Sequence, residues 1–394
     1  MTLIIFVIIL GVLVLVHELG HFIFAKKAGV KVEEFGFGYP PRALTLGEKW
    51  GTKFSLNWIP FGGFVKIFGE NYEEGAETDE SSQAREFSAE NSLSVDASRV
   101  HKPFDNSPVS AKGNLKFADV SKKWQALILF GGVLFNIIFA WLLFSLSLIS
   151  GTPTPVENNF GATVRDPKLT IISVLPESPA SKAGLKSGDR IIAVENGESS
   201  VPELGPESVA KFVNASAEPL DIKIERGEKV LNFEVLPDTS LMEGRKIIGI
   251  NMDMVGTLSL PVHKALVEGA RTTVELTSLT VKGILGLIAG AFVGTADLSQ
   301  VTGPIGIVGL VGDASRLGLV YLATFTALIS INLAVVNLLP FPALDGGRLV
   351  FVVIEALTRR RIPAKVGAYV NGIGFTVLIL LMLVITFKDI KNLF

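Results

Sequence analysis

Apolar residues in this chain gather into long runs. Four of them, at 2–25, 124–149, 317–339 and 366–387, each have the length of about twenty residues that a helix needs to cross a bilayer. A fifth stretch, 262–292, carries Arg271, Glu275 and Lys282 among its Leu, Ile and Val residues. That pattern predicts an amphipathic helix lying in the outer interface. Spanning is the alternative, and would place the later basic run outside.

The polar stretches between the runs differ from one another. Over residues 33–70, aromatic and β-branched residues alternate with small or polar ones, broken by Gly36-Phe37-Gly38, Pro40-Pro41 and Gly62-Gly63. This predicts short strands and turns forming a small β-sheet. Irregular backbone at membrane depth survives only where it packs on protein or lines a cavity, so a hairpin could dip in beside a site there and offer an edge strand to an extended peptide. A cytoplasmic hairpin without such a role is the plainer reading. Residues 71–119 are acidic, then rich in Ser and Asn, which predicts a cytoplasmic loop without chemistry. Residues 152–253 have the size of one independent domain. The strand at 171–175 is followed there by a short helix closed by Gly184, a turn, and a strand at 190–194.

Flanking charges orient the spans. Lys26, Lys27 and Lys31 follow the first run, Lys122, Lys123 and Trp124 open the second, and Arg359, Arg360, Arg361 and Lys365 follow the third. Positive residues mark cytoplasmic ends, so both termini and the domain at 152–253 are expected outside the cytoplasm. The first run has no basic residue before its apolar core and no small-x-small cleavage site after it, so it is expected to stay as a membrane helix. Three regions result: a membrane region over 1–150, the inserted domain over 155–255, and a second membrane region over 256–394.

Composition agrees with this picture. Hydrophobic residues make up 48% of the 394 and charged residues 19%, with a mean hydropathy of +0.47, which is too apolar for an ordinary soluble chain of this size. A net charge of -2 argues against a nucleic-acid partner. There is no cysteine, so any metal must rest on His, Asp or Glu. Of the four histidines, His101 and His263 lie in polar surroundings and read as surface residues.

The remaining two belong to His17-Glu18-Leu19-Gly20-His21, inside the first apolar run. On a helix, i and i+4 share a face, so both imidazoles can reach one metal while Glu18 lies beside its open position. Ionisable groups in such a segment are costly and point to function. Zinc with three protein ligands and a water, and Glu18 as general base, is the hydrolase reading. His17 lies roughly 21 Å along the helix from Leu3, at 1.5 Å per residue, hence toward the cytoplasmic face. Asp345, at the matching end of its own span, is the third-ligand candidate, with Pro340, Pro342 and Gly346-Gly347 freeing the backbone to bend inward. In the second run, Gly131-Gly132 allows close helix approach and Asn136 one interhelical hydrogen bond. Packing explains these three as well as a role at the site.

Two resemblances carry the reading further. The segment Ser178-Pro179-Ala180 through Ala183-Gly184-Leu185, Gly188-Asp189 and Ile191 resembles the signature of a PDZ domain, with 209–215 as the helix beside its peptide groove. The His17–His21 motif, the Gly36/Gly38 and Gly62/Gly63 pairs, Thr302-Gly303-Pro304-Ile305-Gly306, and Asn337 through Pro340, Pro342 and Leu344-Asp345-Gly346-Gly347 together resemble the site-2 protease family, nearest its bacterial RseP-type members. The resemblance implies one Zn²⁺ per chain held by His17, His21 and Asp345, with Glu18 as general base. It also implies that Asn337 contacts substrate or the developing oxyanion, with Gly36, Gly38, Gly62 and Gly63 in the substrate-binding region. It departs from the family in carrying one PDZ signature where the best-known RseP-type members have two, and in having Val133 where the family's second helix has Pro. The expected fold is a polytopic α-helical membrane protein of about four spans, with a small membrane-associated β-sheet and an inserted PDZ domain. The expected activity is cleavage of single-span membrane proteins, such as anti-sigma factors or remnant signal peptides, after an upstream site-1-type protease has trimmed them in a bacterial inner membrane. A catalytically idle PDZ-bearing scaffold is the alternative from another class. A transporter is disfavoured because the chain has no repeated half.

Overall fold

A computed structural model describes residues 1–70, 115–158, 163–197, 199–227, 229–239, 244–295 and 301–391. Of the loop expected over 71–119, residues 71–114, with His101, lie outside these, while Leu115 bridges to Val30 and Phe117–Asp119 form a 3-10 turn, so this last part is ordered structure and not open loop. The chain divides into two compact units. One comprises Met1–Trp141, Thr273–Asp313 and Phe325–Phe394, and the other Leu142–Thr272 and Ala314–Thr324.

Among the described residues, five helices are long and apolar enough to cross a membrane: α1 (Thr2–Lys27), α2 (Lys122–Ser150), α5 (Val262–Val293), α7 (Leu319–Leu338) and α9 (Ala364–Lys391). Four match the expected spans to within a few residues. The fifth, α5, is the stretch expected to lie at the interface, and its length and composition would also allow it to cross. His263, in its first turn, is exposed, as expected of a surface histidine.

Local chemistry sets where these helices stop. Helix α1 ends with Lys26 and Lys27 in its last turn, where cations complement the exposed carbonyls, and Gly29 then turns the chain out of the helix at φ +76°. Helix α7 stops at Leu338 because Pro340 has no amide hydrogen to continue the ladder. Ala343 then adopts φ +71°, and α8 (Asp345–Thr358) begins with Asp345 in its first turn. Two glycines make this reversal possible. A Cβ on Gly346 would meet the Leu339 carbonyl oxygen at 2.1 Å, and one on Gly347 would meet that of Phe341 at 2.2 Å.

The short helix α6 (Pro304–Leu317) is tied down at its start. Asp389, near the end of α9, accepts from the amides of Gly303 at 3.2 Å and Gly306 at 2.8 Å, while Lys388 donates to the Val301 carbonyl. Further along α6, a Cβ on Gly312 would lie 2.7 Å from Cγ2 of Thr2.

Strands β1 (Val32–Lys49) and β2 (Thr52–Ile67) fold into a bent antiparallel sheet. The segment around 34–37 is central, pairing on one side with Lys53–Leu56 and on the other with Gly63–Lys66. Phe22, Phe35 and Phe54 meet edge to face or tilted at centroid distances of 5.5 to 6.0 Å, closing a small core where the sheet packs on α1.

The second unit holds a six-stranded antiparallel sheet in the order β3-β8-β4-β5-β6-β7, with β3 (Thr152–Pro155), β4 (Arg165–Val174), β5 (Arg190–Glu195), β6 (Leu220–Arg226), β7 (Lys229–Val235) and β8 (Ile250–Leu258). Strand β6 reads apolar-polar throughout, and its Leu220, Ile222 and Ile224 are fully buried against Ile171, Ile191 and Val209. Helix α3 (Pro179–Ala183) has Ser178 as N-cap, accepting from the Ser181 amide, and Gly184 ends it at φ +96°. Helix α4 (Pro206–Ala215) packs Val209 and Val213 into the same core. Asp189, in the turn before β5, accepts from the Lys186 amide and from both Nε and Nη2 of Arg226.

Candidate metal centre

Three donor atoms from the two ends of the sequence meet in the first unit. Nε2 of His17 lies 2.9 Å from Oδ2 of Asp345, and Nε2 of His21 lies 3.2 Å from both that oxygen and Nε2 of His17. Both imidazoles are buried, at 6% and 7% exposure. Helix α1 supplies the histidines one turn apart on one face, and the reversal after Pro340 supplies the aspartate. Donors sharing a tetrahedral zinc at about 2.0–2.1 Å would stand about 3.3 Å apart, so this triangle fits that ion in spacing and in donor type.

Glu18 opens onto the adjoining cavity, of about 360 Å³, which is also lined by His21, Asp345, Gly63, Val65, Glu70 and Arg348. Its carboxylate accepts from the Val65 amide. The strand segment Gly63–Ile67 therefore forms one wall of the cavity and holds the candidate base. Arg348 and Glu70, both lining this cavity, form an ion pair. Burial pushes the Glu70 carboxyl above its ordinary range, and the Arg348 guanidinium pulls it the other way.

The glycines separate into two kinds. Gly63 is at the site: a Cβ there would sit 3.9 Å from Cγ of Glu18 and 2.9 Å from the Gly36 carbonyl. Gly36 lies under the Phe64 ring on the neighbouring strand, while Gly38 and Gly62, at φ +80° and +85°, serve the bends of the sheet. Asn337 is half-buried in the last turn of α7 and does not line the cavity that holds Glu18, His21 and Asp345.

Helix α2 makes a contribution that the sequence left undecided. Gly20 and Gly131 bring α1 and α2 into backbone contact, since a Cβ on Gly20 would lie 2.2 Å from the Gly131 carbonyl oxygen. The next residue, Gly132, faces the imidazoles directly: a Cβ there would fall 2.5 Å from Nε2 of His21 and 2.7 Å from Nε2 of His17. The Ile128 carbonyl takes the Nδ1–H of His21 at 2.8 Å, and the amide of Asn136 meets Nδ1 of His17 at 3.2 Å. Gly131-Gly132 and Asn136 were visible in the sequence as small and polar residues in an apolar run. Ile128 carried no signal at all, because it acts through its main chain.

Comparison with known proteins agrees with this geometry. The pattern of peptidase family M50 matches residues 5–381. The chain is 31% identical to the zinc metalloprotease RasP of Geobacillus kaustophilus, covering 99% of this chain and 97% of that protein. It is 29% identical to the regulator of sigma-W protease RasP of Bacillus subtilis, over 100% and 99% of the two chains. A putative zinc metalloprotease of Clostridium perfringens is 32% identical, over 96% and 95%. A match along almost the whole chain, on a multi-pass helical frame that brings two histidines and an aspartate together, places this protein in peptidase family M50 as a membrane-embedded zinc metallopeptidase of the site-2 protease type.

Proposed function

We propose that the protein hydrolyses a peptide bond in or near the membrane segment of a single-span protein already shortened by another protease, with His17, His21 and Asp345 as zinc ligands and Glu18 as general base. The observation that carries this is the placement of Glu18. Its carboxylate lines the same cavity as the donor triangle and is held there by a strand amide. Bound zinc supplies a water acidified toward a pKa of about 7 and polarises the carbonyl. Glu18 accepts the proton of that water and delivers it to the leaving amine.

Substrate must arrive as extended chain, because every amide inside a helix is occupied by its own hydrogen bond. Segment Gly63–Ile67 pairs with β1 on one side and fronts the cavity on the other. Strand addition along that edge would supply replacement hydrogen bonds to an unwound substrate, offsetting the several kcal/mol that unsatisfied backbone groups cost in lipid. The name of the Bacillus subtilis relative makes an anti-sigma factor a reasonable substrate class.

The six-stranded domain is read as a PDZ domain on the extracytoplasmic side, together with both termini of the chain. Helix α6 supports this topology: its start is held by Asp389 and its middle approaches Thr2, at the expected outer ends of α9 and α1. Because α5 follows the outer end of α2 and leads to α6, it would begin and finish outside and lie in the outer interface.

The test is Glu18→Gln in detergent-purified protein, with zinc content and cleavage of a model single-span stub measured together. Retained zinc with cleavage reduced about 10²–10⁴-fold is expected for a lost general base. Unreduced turnover would remove Glu18 from the mechanism.

A further inference from the structure

Resting on the zinc ligand set proposed above, we infer that Asn136 is the positioning residue for His17, accepting the Nδ1–H of the imidazole so that its Nε2 lone pair is presented to the metal. A neutral imidazole carries one proton on its two nitrogens, and the ring can ligate through Nε2 only when the proton is on Nδ1. That proton needs an acceptor, and metal-binding histidines almost always have one.

The two histidines meet this need differently. For His21 the acceptor is the Ile128 carbonyl, which can do nothing else. For His17 the atom at Nδ1 is Nδ2 of the Asn136 side-chain amide, at 3.2 Å. An amide can face the ring with its NH₂ or, after a half-turn of its last torsion, with its oxygen. Ligation through Nε2 decides between them. With the proton on Nδ1, an NH₂ facing it would set donor against donor, whereas Oδ1, which has no hydrogen-bond partner among the described residues in its present orientation, accepts. The half-turn of this fully buried side chain exchanges the places of its oxygen and its NH₂.

The residue is held for this task by its neighbours. The Asn136 carbonyl accepts from Oγ of the buried Ser330 on α7 at 2.8 Å, and the Gly20–Gly131 contact fixes α2 against α1 a little more than one turn earlier. Asn136 lies at the same level on α2 as His17 on α1, and no shorter or apolar side chain could reach and accept.

Two variants of the full chain decide the matter, read by zinc affinity in competition with a chromogenic chelator. Asn136→Leu keeps the volume and removes the acceptor, and a 10- to 100-fold weaker zinc affinity is expected. Asn136→Asp keeps the acceptor and removes the donor, and affinity equal to or tighter than that of the unmodified chain is expected. An Asp variant weakened as much as the Leu variant would show that the group needed is the amide NH₂, and would overturn the inference. So would a Leu variant with unchanged affinity. Should the Leu variant fail to fold, the Asp variant decides alone, because donor and acceptor roles move its affinity in opposite directions. Failure of the unmodified chain to bind one zinc would instead overturn the ligand set itself.

Discussion

The Nδ1–H of His21 is donated to the main-chain carbonyl of Ile128 across 2.8 Å, between helices α1 and α2. A main-chain carbonyl in a helix is normally occupied by the amide four residues on, and one that also takes an imidazole requires the two helices to approach closely. The Gly20–Gly131 contact permits that approach. Helix α2 therefore orients the proposed ligands although it contributes none of them.

Gly132 should then be intolerant of any side chain. In Gly132→Ala the new methyl group would fall 2.5 Å from Nε2 of His21 and 2.7 Å from that of His17, displacing the atoms proposed to bind metal. Zinc occupancy of the purified variant is expected to fall well below one per chain, with cleavage falling in step. Full occupancy would mean that α2 can shift without disturbing the imidazoles.

The donor triangle predicts equal dependence on its three corners. His17→Ala, His21→Ala and Asp345→Ala each leave two protein ligands where a catalytic zinc takes three. Metal analysis after extensive dialysis should find each depleted. If Asp345→Ala kept full zinc and activity, the third ligand would lie elsewhere.

A role in substrate selection is expected of the six-stranded domain. A folded outer domain on a single-span protein would be held back, and a trimmed stub admitted. Strands β3 and β8 pair from Thr152–Leu258 to Pro155–Val255, so Pro155 and Val255, which flank the deleted residues 160–252, are neighbours that a short linker can join. That deletion should raise cleavage of the full-length precursor toward that of the stub, while stub cleavage persists. Equal cutting of precursor and stub by the unmodified protein would end the gating reading and leave the peptidase intact.

The frame of the molecule was legible in the chain because its causes are local. Runs of apolar residues at membrane length became α1, α2, α7 and α9. Glycine and proline placed the bends of the β1–β2 sheet, and Ser178, Pro179 and Gly184 set the ends of α3. The stretch at 262–292 was harder to read. Its charges argue for an interfacial helix and its length for a span, because membrane placement depends on where both ends are held. The proposed interfacial placement rests on the contacts of α6 with Asp389 and Thr2, which the sequence does not reveal.

By itself the sequence determined the chemistry on offer: two histidines and a glutamate on one helical face, and an aspartate some 330 residues away beside a glycine pair that lets the chain turn back. A helix period is enough to align His17 with His21, since residues four apart always share a face. Tertiary structure alone decided the rest. The 2.9 Å approach of Asp345 to His17, the Val65 amide on Glu18, and the Ile128 carbonyl and Asn136 amide behind the two rings all join atoms distant in the chain. Two of those partners are main-chain groups, which every residue possesses. No residue identity could announce them, and only the packing of α1 against α2 and the sheet selects which ones serve.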